Sequence, residues 1–339
     1  MKAPLPATLA LAFALLATPL RAHDAGAEMS AAANDFLRAL NPAQKSQATF
    51  GFTDAERANW HFIPKERKGL QIKEMAQEQR LLAHALLATG LSHRGYGKAV
   101  SIMSLEAILA EMEKGKVGGM VRDPERYFVS IFGTPGTEPW GWRFEGHHLT
   151  LNYTAAGGTA AMTPSFFGTN PGEVREGIRS GTRVLGAEED LGRKLVKSLN
   201  DEQRKAAVIL AEAPKDIFNK PESRDFTKPE GLPQSALTAE QSAMLMKLIR
   251  EYLFRCRPDV AAEDLAKVEA AGLGKLHFAW AGGFEPGQPH YYRVQSGSFV
   301  LEYDNTQNDA NHVHSIWRDL DHDFGADLLK KHIAGEHAK

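Results

Sequence analysis

Residues 140–153 read Trp140-Gly141-Trp142-Arg143-Phe144-Glu145-Gly146-His147-His148-Leu149-Thr150-Leu151-Asn152-Tyr153. Aromatic and β-branched residues crowd this stretch, which is strand composition. Two runs of the same kind flank it, Tyr127–Phe132 and Thr159–Phe166. Turn-forming residues separate them, Gly133-Thr134-Pro135-Gly136 on one side and Ala155-Ala156-Gly157-Gly158 on the other. Strand, turn, strand, turn, strand predicts an antiparallel meander. The pattern returns near the C-terminus at Lys275–Ala281, His290–Gln295, Ser298–Asp304 and His312–Arg318, with Ser296-Gly297 as a hairpin turn.

Helical signals fill the remainder. Asn41-Pro42 sets a capping residue before a proline at the first helical position. Thr53-x-x-Glu56 has capping-box spacing. Over Leu70–Thr89, Ile72, Met75, Gln79, Leu82 and Leu86 recur at steps of three and four, which predicts one helix. Another is expected over Ser101–Glu113 and a last one over Phe324–Ile333. Asn200-x-x-Gln203 and Thr238-x-x-Gln241 open two helices inside the stretch 171–272, with Leu245, Leu248, Ile249 and Tyr252 as a buried face. The proline-rich run Pro214–Pro233 reads as an ordered surface loop. No internal repeat is evident. The expected class is α+β: one antiparallel sheet, an N-terminal helical region and a helical insertion at about 171–272, in a single domain over 28–339.

The chain has 339 residues, with 40 Lys+Arg against 42 Asp+Glu. Near-neutral charge argues against a nucleic-acid binder. Lys2 and the apolar run Leu5–Leu20, followed by small residues, read as an export signal over 1–27, cleaved after Ala22 or Ala27. No other run is long and apolar enough for a bilayer span, so no membrane span is expected after cleavage. The expected location is periplasmic or extracellular, and the single Cys256 suits an oxidising compartment. A cut after Ala22 makes His23 the first residue, whose amine and ring nitrogen together suit copper.

Histidines concentrate in the β segments: His147, His148, His290, His312 and His314. In His312-Val313-His314 the two rings share a face of a strand, about 7 Å apart along the chain, a spacing that suits two ligands of one metal. His148 or His290 would complete the set. Glu302 and Asp304 are also two apart and share a face. If Glu145-Gly146 is a tight turn, His148 faces away from His147. Arg143, Arg293 and Arg318 present planar forks suited to an anionic or polyhydroxylated ligand, or to ion pairs with Glu145, Glu302, Asp304 or Asp319. The polar run Tyr303–Asn311 reads as a hairpin loop held by Asx turns, or as oxygen and amide groups beside the histidines. There is no nucleophile elbow, P-loop, dinucleotide fingerprint or His-Glu-x-x-His, which makes serine-nucleophile and nucleotide chemistry poor fits.

Three stretches together carry a resemblance. They are Gly141–Asn152, the run Phe166-Phe167-Gly168-x-Asn170-Pro171, and Tyr291-Tyr292-Arg293-Val294 continuing to Glu302–Asp319. In these the chain resembles the bacterial and fungal family catalogued as domain of unknown function 3500, over nearly all of the mature sequence. The resemblance brings no activity, cofactor or site residue with it.

The residues therefore set the functional expectation. It is a secreted metal-dependent hydrolase acting on a small polar or anionic substrate. Its divalent metal is zinc first, with iron, copper or manganese as alternatives. His312 and His314, with His148 or His290, would hold the metal; Glu302 or Glu145 would act as general base; Arg143 or Arg293 would hold substrate charge. A ligand-binding module without metal and a copper- or iron-dependent oxidase are the alternatives.

Overall fold

The computed structural model describes residues 25–114, 121–156, 159–221, 229–321 and 323–326. Residues 1–24 of the expected export signal, His23 among them, and most of the last expected helix lie outside the described residues. Among the described residues the strands are β1 (Thr49–Phe50), β2 (Leu70–Gln71), β3 (Tyr127–Phe132), β4 (Trp140–Gly146), β5 (Leu149–Ala156), β6 (Thr159–Thr169), β7 (Val208–Leu210), β8 (Leu232–Pro233), β9 (His277–Gly282), β10 (His290–Gln295), β11 (Phe299–Asn305) and β12 (Val313–Asp319). The helices are α1 (Ala25–Ala39), α2 (Pro42–Ala48), α3 (Gln77–Gly90), α4 (His93–Met112), α5 (Gly186–Ser198), α6 (Asp201–Ala207), α7 (Ala239–Leu253) and α8 (Pro258–Ala270). The class is α+β, as the sequence predicts.

All strands join one 12-stranded, mostly antiparallel sheet in the order β1-β3-β4-β5-β6-β12-β11-β10-β9-β7, with β2 on β3 and β8 on β9. This order reads the same from both ends. Each half runs helix, helix, short parallel edge strand, short antiparallel strand, helix, helix, then a four-stranded meander. The halves meet where β6 pairs antiparallel with β12. The stretch 171–272 is therefore mostly the helical part of a second copy of the same unit, rather than an insertion.

Equivalent positions keep physical roles and change their letters. Asn41 caps α2, and Gln44 and Gln79 exchange amide hydrogen bonds; Asn200, Gln203 and Gln241 do the same in the second half. Gly69 (φ 101°) and Gly231 (φ 99°) precede β2 and β8, where a Cβ would come within 3.0 Å of Val129 O or 2.3 Å of Phe278 O. Arg143 faces Asn152 across β4–β5, and Arg293 faces Glu302 across β10–β11. Trp142 stacks on Tyr153 at 4.0 Å, and Tyr292 on Tyr303 at 5.2 Å.

Alternation along the strands sends one set of side chains, including Trp142, Tyr153, Trp280, Tyr292 and Tyr303, into the main core with α1, α3, α5 and α7. The other set is polar and also buried. Arg143, Glu145, Arg293, Glu302, Asp304, His314 and Arg318 lie there, with a small apolar cluster of Trp60, Phe62, Phe166, Ile217 and Ile316. Buried charge needs partners, and two long loops supply them.

Several local expectations change. Leu70–Thr89 is not one helix: Leu70 pairs with Val129, a 3-10 turn covers Ile72–Glu74, and α3 starts at Gln77. Thr53-x-x-Glu56 is no capping box. Asp54 caps a short 3-10 turn, and Glu56 binds Arg143. The helix expected at Ser101 begins at His93, capped by Ser92. The proline-rich loop is partly interior, since Ile217 and Asn219 are buried.

Candidate metal centre

β4 and β5 turn at Gly146-His147-His148-Leu149. The turn residue His148 takes φ 61°, a left-handed conformation that costs about 1 kcal/mol for a residue with a Cβ. Two backbone bonds hold it there: His148 N–H donates to Phe62 O, and Gly168 N–H donates to His148 O. The turn falls at His147-His148, two residues later than Glu145-Gly146, and the two rings stack at 3.8 Å instead of facing apart. Gly168 has no room for a side chain. A Cβ would lie 2.8 Å from Val313 O and 3.0 Å from His148 Cδ2.

His312 and His314 come from the start of β12, two strands away. The loop before them is left-handed at Asn308 (φ 53°), Asp309 (φ 56°) and Ala310 (φ 51°). Three such residues in a row are costly, and specific bonds hold them. Asn311 N–H donates to Gln307 O, the Asn311 amide pairs with both backbone groups of Glu173, and Asn305 Oδ1 accepts from His312 N–H. The Asx-rich loop thus fixes the entry of His312.

The three rings converge. His148 Nε2 is 2.8 Å from His312 Nε2, and ring centroids lie 4.8, 5.3 and 4.7 Å apart for the pairs 148–312, 148–314 and 312–314. One ligand atom from each of the three lies within 4.8 Å of the others. Burial, with the neighbouring histidines, holds His148 well below the ordinary imidazole range and His312 down to about 3. Both rings are therefore neutral near pH 7, with lone pairs available to a metal.

Carboxylates flank this group. His314 Nδ1 is 2.8 Å from Asp216 Oδ1 and 3.5 Å from Asp304 Oδ2. Burial lowers its pKa, but Asp304 and Asp216 outweigh that and raise it to about 9. Glu106 on α4 bonds His147 Nδ1, and Arg122 Nη1 lies 3.4 Å from the same nitrogen while also holding Glu113. Beside the centre, Asn311 and Glu113 help to line a cavity of about 590 Å³ with Asn170, Asn308, Ile108 and Met112.

The other expected site residues stand apart. His290 lies on the opposite sheet face, stacked on Trp280 at 5.3 Å, with Nδ1 on Gln288 O; burial holds it down to about 4. Glu302 is fully buried and accepts from Phe218 N–H, Asn219 N–H, Asn219 Nδ2 and Tyr291 O–H, which leaves no oxygen for substrate. Glu145 accepts from His61 N–H and faces Arg67 and Arg143. Arg143 binds Glu56, Arg293 binds Glu230 and Arg318 binds Asp323. Arg143 and Arg293 lie on strands separated by four others. Sequence reading missed Asp216, Glu106 and Arg122, whose distance along the chain from the histidines gives no signal.

His148 comes from the first half and His312 and His314 from the second, but among the described residues only the second half carries the aspartate–histidine pair. Asp304 faces His314 across β11–β12, and the equivalent pair across β5–β6 is Thr154 and Ala161. There Thr154 Oγ1 donates to Phe324 O, so the turn Asp323–Gly325 covers that position.

Fold and site together define a duplicated α+β protein with a buried histidine–carboxylate cluster on the central strands of its sheet. The chain belongs to the family described as protein of unknown function (DUF3500), which matches residues 23–326. No curated protein and no solved structure matches it.

Proposed function

We propose that the protein is an exported metal-dependent enzyme, a hydrolase of small polar substrates, with the metal on His148, His312 and His314. The convergence of the three ring nitrogens within 4.8 Å carries this reading. Nitrogen ligands of a tetrahedral zinc at about 2.0–2.1 Å stand about 3.3 Å apart, so His148 and His312, at 2.8 Å, need to part by only about 0.5 Å. His148 and His312 offer neutral rings, His314 releases a proton as metal binds, and the three imidazoles leave a fourth position for water, whose pKa a bound metal lowers. Asp216 on His314 supplies the carboxylate partner that fixes the tautomer of a ligand histidine. Arg122 takes the substrate-charge role first expected of Arg143 or Arg293, because it is the arginine in contact with the histidine group.

Export rests on the N-terminal sequence. Of the two cleavage positions, the one after Ala22 leaves α1 whole, since α1 starts at Ala25 and buries Ala25 and Gly26. No helix among the described residues is long and apolar enough to cross a membrane.

Elemental analysis of untagged protein tests the metal. We expect at least one equivalent of zinc, iron, copper or manganese, and one equivalent fewer in His312→Ala and His148→Ala. A chain that contains none and takes up none refutes the reading. Copper as the native metal would move the chemistry from hydrolysis to oxidation.

A further inference from the structure

We propose that His314 bridges two cations, one shared with His148 and His312 and the other held by Asp216 and Asp304. The proposal rests on the metal centre above and adds a second position to it. The observation behind it is Asp304. This residue is 0% exposed on β11, and neither of its carboxylate oxygens receives a hydrogen bond. Its charged contact is His314 Nδ1 at 3.5 Å. A buried carboxylate without donors is unfavourable by several kcal/mol unless a cation faces it.

His314 alone does not satisfy it. A ring N–H donates to one acceptor, and Asp216 Oδ1 at 2.8 Å is the closer one. A single cation on the histidine triad thus gives Asp216 a role as the partner of His314 and leaves Asp304 unexplained. A second cation explains both acids. Asp216, Asp304 and His314 each place a ligand atom within 4.8 Å of the others. Asp216 Oδ2 faces Lys220 Nζ at 2.8 Å, and Oδ1 accepts from Ile217 N–H at 2.8 Å, with its second lone pair on the His314 side left for the cation. With Nδ1 turned to the carboxylates, the nitrogen left for the triad is Nε2, and one imidazole then serves both positions.

Charge agrees with this arrangement. The second position offers two carboxylates and an imidazole that gives up its remaining proton to solvent when both nitrogens bind metal. Three negative charges against the two divalent ions leave one positive charge, which a hydroxide on the triad's open position would offset, and Lys220 is partly exposed to solvent. Oxygen and nitrogen donors without sulfur select zinc, manganese or iron(II). Bridged pairs of this kind activate a water or substrate oxygen from two sides.

Metal-free protein titrated with Zn(II) tests the proposal by stoichiometry. Wild type should take two equivalents per chain, Asp304→Asn one, His312→Ala one and His314→Ala none. One equivalent in wild type that Asp304→Asn retains would overturn the bridge and leave the triad standing. No uptake in wild type would overturn the triad as well. A second measurement needs no variant. Two equivalents of Cu(II) bridged by imidazolate are magnetically coupled, so the copper EPR intensity at two equivalents should fall below that at one. A signal that doubles refutes the bridge.

Discussion

Replacing Glu302 by alanine removes the acceptor for four donors, Phe218 N–H, Asn219 N–H, Asn219 Nδ2 and Tyr291 O–H. Each hydrogen bond to a charged acceptor is worth about 1.5–3 kcal/mol net. The four share one anchor and the loop relaxes, so they do not add. The nearest precedent is removal of one partner from a buried ionic group, at about 3–5 kcal/mol. At roughly 2–4 °C per kcal/mol for a chain of this size, the melting temperature should fall by about 10 °C. Burial raises the Glu302 pKa and the hydrogen bonds lower it, so glutamine tests the charge at constant shape. Glu302→Gln still presents an NH2 to N–H donors and should lose about 1–3 kcal/mol. The loop that Glu302 anchors also carries Asp216 to His314, so metal affinity should drop about 10–100-fold. The assays are thermal denaturation and metal titration of the same preparations. A Glu302→Gln protein with wild-type melting and full metal content, but no hydrolytic activity, would refute the anchoring role and restore Glu302 as the general base.

His148→Ala and His312→Ala should each lose the one equivalent of metal that the histidine triad holds, while metal-free samples of both melt close to the metal-free wild type. Val313→Ala, which trims the main core on the opposite face, should cost roughly 1–3 kcal/mol and keep its metal; metal loss in Val313→Ala would count against the face assignment. Gly168→Ala should weaken metal binding more than its position outside the ligand set suggests, because the new Cβ meets Val313 O and His148 Cδ2; unchanged affinity would show that the turn yields easily. Asp264 is buried, and burial raises its pKa from 3.8 to about 6 against the pull of Lys267. The folded state therefore holds this proton more tightly than the unfolded chain, and the stability it contributes is full below about pH 4 and lost as pH rises to about 6. Asp264→Asn should gain on the order of 2 kcal/mol at pH 7 and nothing at pH 3.5, read from urea denaturation; an equal change at both pH values would rule out this ionisation as the cause.

Much of the candidate metal centre is legible in the chain. The His-x-His spacing places His312 and His314 on one side of the sheet, because strand side chains alternate whatever the strand pairs with. His148 belongs with them for a reason the sequence does not state: the left-handed turn at His148 and the β6–β12 pairing bring the starts of β5 and β12 together at the centre of the sheet. His290 shows the converse. Its residue type matches, but Asn305 and Val313 lie in register with it and point to the helical face.

The carboxylates divide in the same way. Glu302 and Asp304 share a face as their spacing requires, yet one is consumed by a loop and the other is left facing His314. Which happens depends on where residues 216–219 come to rest. The duplication was equally hidden, since Trp142 and Tyr292, or Asn152 and Glu302, fill matching places with different side chains. Packing selects volume and hydrogen-bonding role, and several residue types satisfy each.

By itself, then, the sequence determined the α+β class, most strand limits, the capped helices and the shared face of His312 and His314, because these follow from local backbone geometry and a period of two or 3.6. Tertiary structure alone decided which distant groups meet. The joining of two similar halves at β6 and β12, the choice of His148 over His290, and the recruitment of Asp216 and Glu106 all depend on contacts far apart along the chain, which no local periodicity encodes.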